Sequence, residues 1–306
     1  MTFTMMCGLP GSGKSTYAKE LEDTNTVLLS SDRIRGEIFG DETDQCHNKE
    51  IFEEMFNRTI NNLNAGKNVV YDATNIDRMN RMNTLNNIKY SLRDAGSVEF
   101  KIIVVVRAFD DCVVADAERE RTVGEKVISR MRTRYNPPAR FEGWDSIEYK
   151  YIPGSDPYKH YRDLDNFDLE NSRYNISLGE HLKLTEKEAI DNFYSRNVIA
   201  AAAMHDIGKV WTKRFVTYDN KPSIDALYYK HQLVGAYECL PILLSKDTED
   251  FDITEVSNLI ADHMLGTSKK SQEILNQIKD YHGDVYYHNL LRLINCDRHN
   301  RIVNNK

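Results

Sequence analysis

Short, nearly unbroken apolar runs alternate with helically spaced ones through the first half of the 306-residue chain. Residues 2–7, 26–30, 68–71 and 100–106 read as strands, the last one buried on both faces because its apolar run is almost continuous. Helices are expected from about Lys14, over 51–65, over 110–121 and over 125–134, with Pro137 and Pro138 stopping further helix. Such alternation implies a parallel sheet with right-handed crossovers. Residues 141–175 are rich in Tyr, Asp, Gly and Pro, lack periodicity, and read as a domain end plus a connector. From Leu178 onward the spacing is helical and no strand is expected. The expected division is an α/β domain over 1–150, a connector over 151–165 and an all-α domain over 166–306.

Composition adds little beyond an ordinary folded protein: 41% hydrophobic and 28% charged residues. A net charge of −7 means that nucleic acid, if bound, needs a local basic surface. Arg130, Arg132, Arg134 and Arg140 offer one, with Lys213-Arg214 and Lys269-Lys270 as smaller candidates; the alternative for each is a solvated helix face. Five widely spaced cysteines without a C-x-x-C pair argue for reduced thiols. No stretch approaches the ~20 apolar residues that span a bilayer, and the chain runs at once into a glycine-rich loop. A cytoplasmic protein without a cleavable signal or a membrane partner is therefore expected.

That loop reads Gly8-Leu9-Pro10-Gly11-Ser12-Gly13-Lys14-Ser15, directly after the first strand. Its glycines let backbone N–H groups converge on a β-phosphate, Lys14 adds a point charge, and the Ser15 hydroxyl suits Mg²⁺. Ser12 and Thr16 complete the expected nucleotide contacts, and the helix N-terminus faces the same anion. ATP and Mg²⁺ follow as cofactors. Asp32 and Asp72 end the second and third strands, on the edge where open α/β sheets bind ligands. A carboxylate there can take a proton from an attacking hydroxyl or hold magnesium; for Asp32 the alternative is a helix cap. Asp32-Arg33-Ile34-Arg35, Asp72-Ala73-Thr74-Asn75 and the arginine-rich stretch before Val123-Gly124-Glu125-Lys126 resemble the phage and bacterial polynucleotide 5′-hydroxyl kinases over roughly residues 1–145. The resemblance implies that Asp32 is the general base, Arg35 holds the acceptor's 3′-phosphate, and Asp72 organises base and metal. It also implies a lid arginine on the donor phosphates. Arg119 matches it through Asp116-Ala117-Glu118-Arg119, and Arg121 is the alternative.

The second half carries His181, His205-Asp206, His231, His263 and Asp297. Val198, Ala201, Ala202 and His205 fall at i, i+3, i+4 and i+7; so do Val256, Leu259, Ile260 and His263, and Leu290, Leu293, Ile294 and Asp297. Each stripe thus ends in a ligand-type residue. His231 shares a helix face with Val234 and the small Gly235. A lone inward histidine is usually a satisfied core residue, but a carboxylate on an apolar stripe is costly unless paired or metal-bound. Imidazole and carboxylate without thiolate suit Mn, Fe, Co, Ni, Zn or Mg. Cys296, beside Asp297, points away and reads as core. The order H…HD…H…H…D resembles the HD-domain phosphohydrolases over roughly residues 165–306. That resemblance implies one metal on His181, His205, Asp206 and Asp297. It leaves His231 and His263 either to a second ion bridged by Asp206 or to direct contact with phosphate. Lys209 is a candidate phosphate contact, or a solvated lysine at a helix end.

Together the halves resemble bifunctional end-healing enzymes, which implies an ATP-dependent 5′-hydroxyl kinase joined to a metal-dependent 2′,3′-phosphoesterase. RNA or DNA ends would be the substrate, a separate RNA ligase the partner, and one or two divalent transition-metal ions or Mg²⁺ the second cofactor. Two alternatives stay open: both halves acting on free or signalling nucleotides, or a nucleotide-sensing loop that regulates the hydrolase.

Overall fold

The computed structural model describes residues 1–42, 46–172, 174–246, 250–266 and 269–300. Two compact units emerge, one of residues 1–131 with 140–154, the other of 132–139 with 155–306. Residues 151–154 fall with the first unit and 155–165 with the second.

The first unit holds β1 (Thr2–Cys7), α1 (Lys14–Glu20), β2 (Thr26–Ser30), α2 (Ser31–Phe39), α3 (Asn48–Asn64), β3 (Asn68–Asp72), α4 (Arg78–Ser91), β4 (Glu99–Val106), α5 (Phe109–Ala117), α6 (Glu125–Arg132) and β5 (Ser146–Tyr151). Arg132, the last residue of α6, already belongs with the second unit. The sheet is parallel throughout, in the order β2-β3-β1-β4-β5. β1 lies at its centre and buries every residue after Thr2. Register pairs Ser30 with Asp72, so β2 and β3 end side by side. β5 falls in the stretch read as aperiodic. It is an edge strand whose alternate positions, Glu148 and Lys150 among them, face solvent, so no continuous apolar run announces it. The helix expected over 110–121 stops at Ala117. There the buried carboxylate of Asp116 accepts the N–H groups of Val123 and Gly124, 2.9 Å each, and turns the chain toward α6.

A buried ion pair braces the loop side of this sheet. Arg81 Nε donates to one Glu142 oxygen at 2.9 Å and its Nη2 to the other at 2.6 Å, while Trp144 adds an N–H at 3.0 Å. The remaining Arg81 nitrogen donates to the carbonyl of Asn75 at 3.1 Å. Asn75, held at φ 45°, donates its amide to Met6 O, and Gly8 N–H bonds Thr74 O. Two side chains remote in sequence thereby fix the backbone on which the glycine loop starts.

The second unit is helical, with one two-stranded hairpin among the described residues: α7 (Leu178–Asp191), α8 (Arg196–Met204), α9 (Lys209–Thr212), β6 (Lys213–Val216), β7 (Pro222–Tyr228), α10 (His231–Leu244), α11 (Ile253–Asp262), α12 (Lys269–His282) and α13 (Asp284–His299). The antiparallel hairpin corrects the all-α expectation. Its strands are short, bulged between Arg214 and Val216, and show Phe215 and Ile224 to solvent, so no inward alternation marks them. The three apolar stripes are buried as their spacing requires. Arg132 is corrected as well. It is buried, over the Trp211 ring, with Nη1 2.5 Å from Glu238 Oε1, and so cannot serve a basic surface. Cys296 is buried as core. Among the described residues no helix is long and apolar enough to cross a membrane.

Replacing Arg81 with Ala leaves the Glu142 carboxylate buried without its main partner. Urea unfolding should show a loss of about 3–5 kcal/mol, against near-neutral values for exposed arginine controls such as Arg93→Ala.

Candidate functional site

The glycine loop closes as its motif requires. Gly11 adopts φ 77°, and a Cβ there would stand 2.1 Å from the carbonyl oxygen of Cys112, a backbone collision that no side-chain shift relieves. Gly13 then opens α1, whose first residue, Lys14, is buried and donates from Nζ to Leu9 O at 3.2 Å. Ser15 and Thr16 stand on the exposed first turn of α1, while Ser12 is buried in the loop. Asp72 is buried at the end of β3, and Asp32 sits in the first turn of α2, its side chain 44% exposed. The Asp32 carboxylate does not cap its own helix. It accepts from Arg35 Nη1 at 2.7 Å and lies 3.5 Å from Arg121 Nη1. Arg35 is buried and also donates to Asn48 Oδ1 at 3.0 Å. Arg119 turns back toward Asp116, 3.6 Å away, and so of the two lid candidates Arg121 is the one beside Asp32.

In the second unit the six ligand-type residues meet. His181 comes from α7, His205 and Asp206 from the turn between α8 and α9, His231 opens α10, His263 follows α11, and Asp297 lies in α13. All six are buried. His181 Nε2 is 3.2 Å from His205 Nε2, 3.3 Å from Asp206 Oδ2 and 3.3 Å from Asp297 Oδ1; His205 Nε2 is 3.5 and 3.6 Å from the same two oxygens. Four ligands set tetrahedrally about 2.1 Å from one ion stand about 3.4 Å apart, so the spacing fits a cation. On the other side, Asp206 Oδ1 lies 3.0 Å from His231 Nε2 and 3.5 Å from His263 Nε2. Neither ring nitrogen is aligned to hydrogen-bond it. Asp206 therefore turns one oxygen to each group.

Every one of these imidazoles is oriented from behind. Nδ1 of His181, His205, His231 and His263 meets the backbone carbonyl of Asn300, Ala202, Tyr228 and Ile260, at 3.2, 3.0, 2.7 and 2.7 Å. A carbonyl only accepts, so Nδ1 carries the proton and Nε2 faces the cluster with its lone pair when the ring is neutral. Facing lone pairs 3.2 Å apart need a proton or a cation between them. Without metal a proton serves: burial pushes His205 down, but Asp206 and Asp297 outweigh it and raise it to about 10. Burial alone would raise both carboxyls; Lys209 and His205 for Asp206, and His181 and His205 for Asp297, hold them well below the usual range instead. Desolvation takes His263 down to about 4.

Lys209 is neither solvated nor free. It is buried, with Nζ 2.6 Å from Asp206 Oδ2 and 3.2 Å from the Tyr174 hydroxyl. Its spacing three residues after the aspartate was the available signal; Tyr174, from a segment without periodicity, gave none.

Residues 3–138 match the family model AAA_33, an AAA domain. With the parallel sheet, the loop after its central strand and that match together, the first unit is assigned. It is a P-loop kinase-like domain. Such a domain implies ATP and Mg²⁺, and Lys14, Ser15 and the loop amides are groups of the right kind to hold them. Chains of the Pnkp1/Rnl/Hen1 RNA repair complex are similar to this one at 24% identity, in two structures with TM-scores of 0.36 and 0.31. The matches cover 44% and 40% of this chain and 43% and 40% of those chains. A gluconokinase from Sinorhizobium meliloti 1021 is similar at 11% identity and a TM-score of 0.33, over 50% of this chain and 83% of that one. The chain thus spans about two-fifths of the length of the repair-complex chains it matches.

A Cβ on Gly208 would lie 2.0 Å from His231 O and 2.6 Å from Gly235 N. Gly208→Ala must push α10 off the His-Asp turn, and chemical denaturation should show a loss of about 1–3 kcal/mol. Ala at the open Gly66 position, which has nothing within 4 Å, pays only for its positive φ and serves as the comparison.

Proposed function

We propose that the chain heals broken nucleic-acid ends: its first unit phosphorylates a 5′-hydroxyl with ATP, and its second removes a 2′,3′-phosphate with divalent metal. The observation that carries the second half is the convergence of four imidazoles and two carboxylates, each Nε2 inward, around the two oxygens of Asp206. His181, His205, Asp206 and Asp297 would hold one ion, and Asp206, His231 and His263 a second. Bound there, a divalent ion supplies a water of lowered pKa and neutralises phosphate charge. Lys209 adds a fixed positive charge beside the cluster. Water oxygen would attack phosphorus and break one of the two ester P–O bonds, the released ribose oxygen taking a proton, which opens the ring. A second such attack on the remaining monoester would release phosphate.

For the first half, support comes from the loop and from Asp32, in the first turn of α2 just past the end of β2. The acceptor 5′-oxygen forms a bond to the γ-phosphorus as the β,γ-bridging P–O bond breaks and ADP leaves. Asp32 would take the proton of the hydroxyl, and Arg35, bonded to it at 2.7 Å, would fix its orientation and hold the acceptor's phosphate. Arg121, 3.5 Å from Asp32, would cross the donor phosphates, with Lys14 and the loop amides beneath them. Asp72 beside Ser30 would organise the base and magnesium.

The deciding experiment offers ATP and a short RNA with a 5′-hydroxyl and a 2′,3′-cyclic phosphate, with Mn, Co, Ni, Zn or Mg, and follows each end separately. Lys14→Ala should stop only 5′ phosphorylation and Asp206→Ala only 3′ processing. Asp32→Asn should cut transfer at least about 100-fold while ATP binding stays within two-fold. Transfer that survives Asp32→Asn would refute the base, and processing of the 3′ end by Asp206→Ala would refute the metal centre.

Divalent metal should also act as a stabilising ligand. At about 100 times its Kd an ion adds about 2.7 kcal/mol, read as a rise in thermal midpoint for the native chain and none for Asp206→Ala. An equal rise in both would place the binding elsewhere.

A further inference from the structure

The hairpin β6–β7 grows out of the metal-ligand cluster at both roots. β6 begins four residues after Lys209, and β7 ends three residues before His231. The roots are pinned: Lys213 pairs with Tyr228 across the ladder, the Tyr228 hydroxyl donates to Leu169 O at 2.5 Å, and Ala226 N donates to Glu170 O at 2.8 Å. Beyond them the side chains turn outward. Tyr218 is 78% exposed and Tyr229 57%, their rings 6.4 Å apart and nearly perpendicular, and Phe215 is also exposed. Lys230 lies 5.5 Å over the Tyr229 ring. Arg214 and Lys221 are exposed and form no ion pair among the described residues.

Large aromatic faces in water are unfavourable unless something covers them. The cations around these faces select what does. Residues 213–230 carry four cations and two carboxylates in a chain of net charge −7, and with Lys213 paired to Glu170 the cations left are Arg214, Lys221 and Lys230. One of those carboxylates, Asp225, is occupied by Ser172 N and Oγ at 2.8 Å each, which leaves Asp219 at the tip. Exposed tyrosines between lysines and an arginine match a single strand, whose bases stack on rings while its phosphates meet the cations.

We propose that this hairpin is a single-strand platform: Tyr218 and Tyr229 stack the bases next to the terminal phosphate, and Arg214, Lys221 and Lys230 hold the backbone. The inference rests on the end-healing reading and names how the metal centre takes a polymer. Tyr229 precedes His231 by two residues, so their Cα atoms lie at most about 7 Å apart and the platform adjoins the cluster. The metal centre would then act on strand ends in preference to free nucleotides.

The test uses the full chain with Tyr218→Ala/Tyr229→Ala, and Tyr218→Phe/Tyr229→Phe as the control that keeps the rings. Hydrolysis is followed on an eight-nucleotide strand with a 2′,3′-cyclic phosphate and a 5′-phosphate, and on a mononucleoside 2′,3′-cyclic phosphate. The alanine pair should raise KM for the strand about ten-fold or more, leave both constants on the mononucleotide unchanged, and be rescued by the phenylalanines. Fluorescence anisotropy with the labelled strand should show the same loss, and Arg214→Ala/Lys221→Ala should flatten its salt dependence by about one to two ion equivalents. An unchanged strand KM and affinity, or an equal loss on the mononucleotide, overturns the platform. So does a change in self-association with strand binding intact, which would make the patch a protein contact. If the native chain hydrolyses neither substrate, the metal reading fails, while anisotropy still decides the hairpin on its own.

Discussion

A buried carboxylate must be answered by positive charge, and in the second unit that demand falls on Asp206. Its two oxygens look in different directions. Oδ2 faces His181, His205 and Lys209, while Oδ1 faces His231 and His263. Leaving such a group unpaired in a low-dielectric interior costs several kcal/mol. The elements around it are accordingly arranged to bring cations or cation ligands to it. Gly208 and Gly235 let α10 approach the His-Asp turn closely enough for His231 to reach, and backbone carbonyls aim each imidazole. Without metal, a proton on His205 and the ammonium of Lys209 balance the charge; the ring spacing suits an ion better than a proton network, because the His231 and His263 lone pairs have no aligned donor.

The first unit solves a different problem, that of holding an anion with backbone. Its loop follows the central strand of a parallel sheet, and the glycine at 11 is demanded by the Cys112 carbonyl against which the loop packs. Behind it, Arg81 and Glu142 form a pair that water does not reach, and Asn75 relays their position to Met6 and Thr74's neighbour Gly8. On the acceptor side, strand register sets Asp72 opposite Ser30, and Asp32 follows two residues later in the first turn of α2.

How far all this could be read beforehand depends on how each feature is encoded. Strands β1 to β4 and the three stripes that end in His205, His263 and Asp297 were legible, since each is a run or a period in the apolar pattern. His231 rested on a short face shared with Val234 and Gly235, and His181 on order alone. β5 escaped because Glu148 and Lys150 break up any continuous apolar run, and the β6–β7 hairpin because it turns Phe215 and Ile224 to solvent. Long-range polar pairs left no local trace: Arg81 meets Glu142 across 61 residues, and Arg132 meets Glu238 across 106. Arg132 shows the hazard most clearly. Its charge suggested a basic surface, while its neighbours bury it.

The most direct measurement of the central idea is anomalous diffraction from crystals of the intact chain grown with Mn²⁺. Two peaks should appear, one enclosed by His181, His205, Asp206 and Asp297, the other by Asp206, His231 and His263. A map with the imidazoles hydrogen-bonded to one another and no peak at Asp206 would contradict the account.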